Sequence, residues 1–318
     1  MQSCSNLPPE LLSMIADRLS LIELVCFRSY CKAWNSASSA ASAKIESALD
    51  FEPWFLLYGT GDEKIDSGQI CKLVADCSTK FNMSLPELDG ATCLASHQGW
   101  LLLFKEGQHG SNSSMFFFRP FSKTKIDLSE SPISKVSDHV AAFSCHPISL
   151  DCTICVTGRI NNDELEVNVL RCEANKWVQV NIRSTRAMIS TTECNAYRTR
   201  KQGFYFLDRK DGLLVVPISK STVSPEVSSV TDATHTTSKA EIFSTYKKYF
   251  KSTNMKEKLG IAVDEDVSIS TCGTQTQEDG NDTFIYNETI PGECKSPKYK
   301  GVWIYPKFYQ IYPKDQSW

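Results

Sequence analysis

The chain has 318 residues, enough for about two domains, and its 41% hydrophobic and 22% charged residues are those of an ordinary globular protein. A formal net charge of −3 leaves no basic footprint, which argues against nucleic acid or an anionic membrane as the partner. The N-terminus, MQSCSNLPPELL, lacks the basic start and apolar core of a secretory signal, and no apolar run approaches the roughly 20 residues that span a bilayer.

The expectation is therefore a soluble protein of the nucleus and/or cytoplasm. Its thirteen cysteines are odd in number and scattered, and many sit inside apolar runs, as at Cys26, Cys145, Cys155 and Cys172. In a reducing compartment such residues read as buried thiols acting as small hydrophobes.

The first 45 residues read as helix. Leu11, Leu12, Ile15 and Leu19 line one helical face, Pro8 and Pro9 suit a first turn, and Glu10 complements the N-terminal dipole. A second helix opens at Ser20-Leu21-Ile22-Glu23, the pattern of a capping box, and carries Ile22, Leu24, Val25 and Phe27. A third stretch from Tyr30 to about Ala43 is rich in Ala and Ser, with Trp34 as its one large anchor. Three helices this short bury little surface, so the head needs a partner.

After Phe51 the texture changes to apolar runs of four to seven residues separated by turn formers, which is strand grammar. The predicted strands are Trp54–Tyr58, Trp100–Phe104, Met115–Arg119, Thr153–Gly158, Glu166–Cys172, Trp177–Ile182, Gly203–Leu207, Gly212–Ile218, Lys258–Val263, Val267–Thr271, Thr283–Tyr286 and Val302–Tyr305. A further strand follows the Pro/Ser/Lys turn after Arg119, and Asp211-Gly212 reads as a hairpin turn. Lys239–Lys251 is the main helical exception, and Ser219–Ser238, crowded with Ser and Thr, reads as an exposed loop. The strands recur with a loose period of about 40 to 50 residues, the range of propeller blades.

No sequence feature assembles a catalytic site. The five histidines show no HExxH grouping, and there is neither a G-x-S-x-G elbow nor a phosphate-binding loop. Cys152-Thr-Ile-Cys155 is a lone CxxC on an alternating segment, which puts the two thiols on opposite faces and disfavours zinc or redox chemistry. Tyr246-Lys-Lys-Tyr-Phe-Lys251 interleaves aromatics with bases as nucleic-acid surfaces do, but reads more simply as an amphipathic helix with snorkelling lysines. No cofactor and no metal is expected.

The head also spells an ordered signature: Leu7-Pro8-Pro9-Glu10-Leu11-Leu12, Ile15, Arg18-Leu19, Leu24, Phe27-Arg28-Ser29 and Cys31-Lys32-Ala33-Trp34. It resembles the F-box across about 40 residues, departing at Tyr30, where a smaller Val or Leu is usual, and at Ile22, where the family often carries a charge. Gly99-Trp100-Leu101-Leu102-Leu103, Arg119-Pro120-Phe121-Ser122, Val267–Gly273 and Gly301-Val302-Trp303-Ile304 are similar to plant F-box proteins with a kelch-like C-terminal domain of unknown function (DUF295 type). The fold expected is α+β, a three-helix F-box over residues 1–45 followed by a mainly antiparallel, propeller-like domain over residues 50–318.

The resemblance implies a non-catalytic subunit that recognises an unknown protein substrate within a ubiquitin ligase. Its partners would be a Skp-type adaptor and a cullin scaffold, with no membrane. By position, Leu7, Pro8, Leu11, Leu12, Ile15, Leu24, Phe27, Cys31 and Trp34 are the implied adaptor-binding residues or their supporting core. The alternatives are an adaptor-bound F-box protein with a non-degradative role and an enzyme built on the strand-rich body; the missing catalytic grouping counts against the latter.

Overall fold

A computed structural model describes residues 7–41, 54–59, 70–74, 80–107, 112–136, 139–161, 164–183, 192–198, 203–208, 212–218, 231–232, 269–276, 282–290 and 299–304. The predicted helix Lys239–Lys251, the strand Lys258–Val263, the Tyr246–Lys251 run and most of Ser219–Ser238 lie outside them.

The head is three helices, α1 (Pro9–Ala16), α2 (Leu21–Tyr30) and α3 (Lys32–Ala37). Proline at the start of α1 needs no partner for an N–H, and Pro8 accepts from the Leu11 and Leu12 amides through its carbonyl. The Glu23 carboxylate reaches back to the Ser20 N–H and hydroxyl, each at 2.8 Å, which satisfies the opening of α2 as the sequence predicts. Cys31 adopts an extended backbone, so α3 begins at Lys32 and not at Tyr30. Leu12, Ala16, Leu24, Phe27 and Ala41 form a small core, with Leu19, Trp34 and Ala37 at its margin.

The body is almost entirely antiparallel. Its strands are β1 (Trp54–Tyr58), β2 (Ile70–Val74), β3 (Lys80–Ser84), β4 (Ala91–His97), β5 (Trp100–Lys105), β6 (Ser114–Arg119), β7 (Thr124–Asp127), β8 (Val140–Phe143), β9 (Thr153–Asn161), β10 (Glu164–Arg171), β11 (Lys176–Arg183), β12 (Thr192–Arg198), β13 (Gly203–Asp208), β14 (Gly212–Pro217), β15 (Thr231–Asp232), β16 (Ile269–Thr276), β17 (Asp282–Ile290) and β18 (Tyr299–Ile304). β4 to β7 and β8 to β11 are two up-and-down sheets of four strands, the size and connectivity of propeller blades. The remaining strands form one sheet in the order β15-β14-β13-β12-β17-β16-β18-β1-β2-β3, in which only β16 and β18 run parallel. The last described strand of the body thus pairs with the first described one, Trp54 opposite Ile304 and Tyr58 opposite Lys300. Among the described residues the sheets do not close into a ring, so the architecture is propeller-like, as expected.

The β4–β7 sheet is a wall whose middle strands, β5 and β6, are buried on both sides. Trp100, Leu102 and Phe104 of β5, with Met115 and Phe117 of β6, enter the larger core shared with β8–β10, β13 and β14. Leu101 and Leu103, with Phe116 and Phe118, enter a second core shared with β1, β2 and β18. Side chains alternate across a strand, so a strand covered on two faces reads as a continuous apolar run, which is why Trp100–Phe104 is so conspicuous. Gln98 and Gly99, both with positive φ, make the tight turn into β5. At Gly301 the ring of Phe55 occupies the space a side chain would need, so β1 and β18 approach as closely as they do only with glycine there.

Hydrogen bonds tie the wall to its neighbours. The Cys93 N–H donates to the Tyr58 hydroxyl at 2.9 Å and the Ser96 hydroxyl to the Trp303 carbonyl at 2.7 Å. The Lys300 ammonium reaches the Ala91 carbonyl at 3.0 Å and the Thr92 hydroxyl at 2.7 Å. Burial of that ammonium lowers its pKa. Thr231–Asp232, within the predicted loop, instead forms a two-residue strand on β14. It is too short to leave a pattern in sequence.

Candidate functional site

The helical head, small as it is, keeps a large share of its apolar residues outside. Leu7, Leu11, Met14, Ile15 and Tyr30 are between 39% and 58% exposed. Leu11, Met14 and Ile15 fall three and four residues apart, so they share one side of α1, while Leu12 and Ala16 on the other side fill the head's core. Pro8, exposed, leads into this surface from the N-terminal side.

The residues singled out in sequence therefore divide in two. Leu7, Pro8, Leu11 and Ile15 are exposed; Leu12, Leu24 and Phe27 are buried beneath them; Cys31 and Trp34 are half-buried at the edge. Trp34 is held from two sides, its ring 4.4 Å from that of Phe27 inside and 4.6 Å from that of Tyr30 outside. Tyr30, a departure from the F-box pattern, is thus an outward extension of the Trp34 stack. Ser13 donates to the Ala37 carbonyl at 2.9 Å, and Arg28 to the Asn35 side chain at 3.1 Å, fixing α3 against α1 and α2. Sequence reasoning missed Met14, whose signal was its spacing of three from Leu11.

Chemically this surface is suited to binding. Its described residues hold no nucleophile–base pair, and a contiguous apolar face on a small module is a place for another protein to cover. The F-box domain model matches residues 4–42, the stretch that carries this face. The KIB1-4 beta-propeller model matches residues 72–270, more than half of the chain. The chain belongs to the KIB1-4 beta-propeller family, with an F-box at its head.

Curated relatives agree, and all are plant F-box proteins. F-box protein At3g56470 of Arabidopsis thaliana is 25% identical over 178 residues, 55% of this chain and 44% of its own. F-box protein At4g00893 is 29% identical over 179 residues, 55% of this chain and 42% of its own. F-box protein At1g49360 is 30% identical over 174 residues, 54% of this chain and 34% of its own. The chain thus matches less than half the length of each of these three. TolB from Acinetobacter baumannii overlaps 86% of this chain and 73% of its own at 7% identity, with a TM-score of 0.33, too loose an overlap to argue from.

Within the KIB1-4-type body, the buried cysteines among the described residues, Cys71, Cys152, Cys155 and Cys172, behave as apolar filler. Cys152 exchanges thiol contacts with Cys145 and Cys172, while Cys155 is fully buried with its acidity suppressed by burial alone. The two members of the CxxC therefore have different surroundings, and among the described residues no cluster of three His, Cys, Asp or Glu has the arrangement to hold a metal. Burial pushes the Cys71 thiol up to about 12. Thiols held protonated in this way are poor nucleophiles and poor metal ligands. His146 accepts from the Trp100 indole at 3.0 Å, and His139 pairs with Glu166 at 2.6 Å with its ring packed over Gly158. Both histidines have structural partners.

Proposed function

We propose that this chain is the substrate-recognition subunit of a Skp–cullin–F-box ubiquitin ligase, acting in the nucleus and/or cytoplasm on an unidentified protein. The observation that carries the reading is the exposed apolar face of the head, lying within the stretch that matches an F-box. Leu7, Pro8, Leu11 and Ile15 meet a Skp-type adaptor, which bridges to the cullin, with Trp34 and Cys31 at the margin. Leu12, Leu24 and Phe27 hold the helices that present them. Residues 1–45 are the docking module, and residues 50–318 hold the target.

No bond chemistry is assigned to this chain. Tethering a target beside a charged conjugating enzyme raises the effective concentration of its lysines, and the acceleration is one of proximity. The connections between rigid strands of the body supply the target-binding surface, since loops on a fixed scaffold carry recognition.

The test is co-purification of the full chain with a recombinant Skp-type adaptor. Binding by wild type, and its loss in a Leu7→Ala/Pro8→Ala/Trp34→Ala variant, is the expected result. Failure of the wild type to bind sinks the reading. A proteome captured with and without proteasome inhibition then separates a degradative role, in which targets accumulate on inhibition, from a non-degradative one.

A further inference from the structure

One helix of the head is apolar on two sides. Leu24 and Phe27 of α2 enter the head's own core. Ile22 and Val25, on the opposite side of the same helix, pack instead against the body's second core, the one built from Leu56, Tyr58, Leu101, Leu103, Phe116 and Phe118. Each pair is spaced by three, and the two pairs are offset by two residues, so they point about 200° apart at 100° per residue. Helices that serve a single core have one apolar stripe. The second stripe has a second use. It also accounts for Ile22, an apolar residue where the F-box pattern often carries a charge.

The core that Ile22 and Val25 pack against has an aromatic margin and is firmly held. Trp54, the first residue of β1, packs on the same core, its ring 6.3 Å from that of Phe81 and 6.1 Å from that of Phe121 in the turn between β6 and β7. β1 is paired on both sides, with β18 and β2, so this surface is part of the sheet and not of a loose connection. An isolated short bundle tethered by a linker would leave Ile22 and Val25 in water. Here they are half-buried.

We infer that Ile22 and Val25 clamp the F-box head onto the propeller-like body, so that the chain joins adaptor to target as a rigid bracket. The inference rests on the ligase reading and deepens it: ubiquitin then reaches only those lysines that the fixed geometry brings to the conjugating enzyme. The adaptor-facing residues, Leu7, Leu11 and Ile15 of the α1 side, are separate from the clamp, so the two functions of the head can be broken independently.

The experiment uses the full chain bound to a recombinant Skp-type adaptor and compares wild type with I22D/V25D by hydrogen–deuterium exchange. Exchange over residues 54–58, 81–85 and 116–121 should speed up about tenfold or more in the variant, as expected for loss of a local packing contact. Residues 153–158, in the other core, should not change, and adaptor affinity should stay within about twofold, since additivity holds for distant sites. Unchanged exchange over the first three segments overturns the clamp. Where the two aspartates unfold the head, seen as lost adaptor binding, I22A/V25A takes their place with the same readout. In the reconstituted ligase, wild type should carry self-attached ubiquitin on a restricted set of its own lysines, and the variant on a wider set; identical sets overturn the bracket. A wild type that binds no adaptor defeats the ligase reading, while the exchange arm on the free chain still decides the clamp.

Discussion

The head and the body of this protein treat their apolar residues in opposite ways. In the body, Trp100, Phe104, Phe117, Phe118, Phe143, Phe204 and Phe206 are all but sealed from water. In the head stand five of the eight large apolar residues that are exposed among the described residues, on the surface of a few short helices. A stable body follows from the first arrangement. The second suits the adaptor-docking surface proposed above, because a module of this size gains too little from its own core to afford the exposure. Substitutions should therefore cost stability in the body and binding in the head.

The largest effect is expected at Trp100. It lies at the centre of the larger core, edge-on to Phe117, beneath the buried Arg119 guanidinium 5.5 Å from its ring, and donating to His146. Trp100→Ala removes packing and leaves a cavity, a loss of about 3–5 kcal/mol, checked by urea unfolding followed through a body signal. A loss under ~1 kcal/mol would mean that the body's burial is not what holds it.

Leu11→Asp tests the other half. Leu11 is 45% exposed, so unfolding of the free chain should move by no more than about 0.5 kcal/mol. Affinity for a Skp-type adaptor should fall by about 2 kcal/mol, some thirtyfold, as for the loss of an interface anchor. Calorimetric titration reads it directly. A variant that instead unfolds the head would show that Leu11 belongs to the core, and the contrast between the regions would fail.

Strands that read as continuous apolar runs were the legible part of the fold. Trp54–Tyr58 is found with the predicted bounds, and β5, β6, β13 and β14 within about a residue or two of theirs. β4 and β8 escaped because their sequences, Ala-Thr-Cys-Leu-Ala-Ser-His and Val-Ala-Ala-Phe, are small or mixed in polarity. What makes β4 a strand is supplied from elsewhere: Tyr58, Trp303 and Lys300 bond to it from the neighbouring sheet, a tertiary contribution that no local pattern records. In the head, the ordered signature picked out the relevant residues but not their division. Leu11 and Leu12 are adjacent and alike, and only the packing of α1 on α2 and α3 decides which faces out. The second apolar stripe of α2 was visible as Ile22 and Val25, and its meaning depended on where the body lies.

Raising the pH sharpens the contrast through the buried thiols. Cys71 is fully enclosed, and burial first, then the nearby Glu87 charge, raises its pKa from 9.0 to about 12. A group held protonated in the fold but free to ionise when unfolded contributes stability that is complete below pH 9.0 and is lost as the pH rises towards about 12. The body should therefore weaken through that window, and Cys71→Ala should flatten its share of the slope in urea titrations at stepped pH. Lys300 acts in the opposite sense, since its lowered pKa makes the unfolded chain the better proton binder below 10.5, so a Lys300→Met control is needed to separate the two. The head's described thiols are not sealed as Cys71 is, Cys26 being exposed and Cys31 half-buried, and adaptor binding by an intact head should not follow the same curve.

The smallest effect belongs to the head's own construction. Glu23 is fully exposed, yet its carboxylate accepts from the Ser20 backbone and then its hydroxyl, and both hold its pKa below 4.5. The folded value is the lower one, so the contribution is present above pH 4.5 and disappears as the pH falls through the native value. Glu23→Gln keeps the shape of the capping box but not the charge. Exchange protection of the α2 amides should then differ between wild type and variant at neutral pH and converge in acid. A difference that persists once the carboxylate is protonated in strong acid, or one that never appears, would place the stability of α2 in its two apolar stripes alone. The helix would then owe its form entirely to the core on one side and the body on the other.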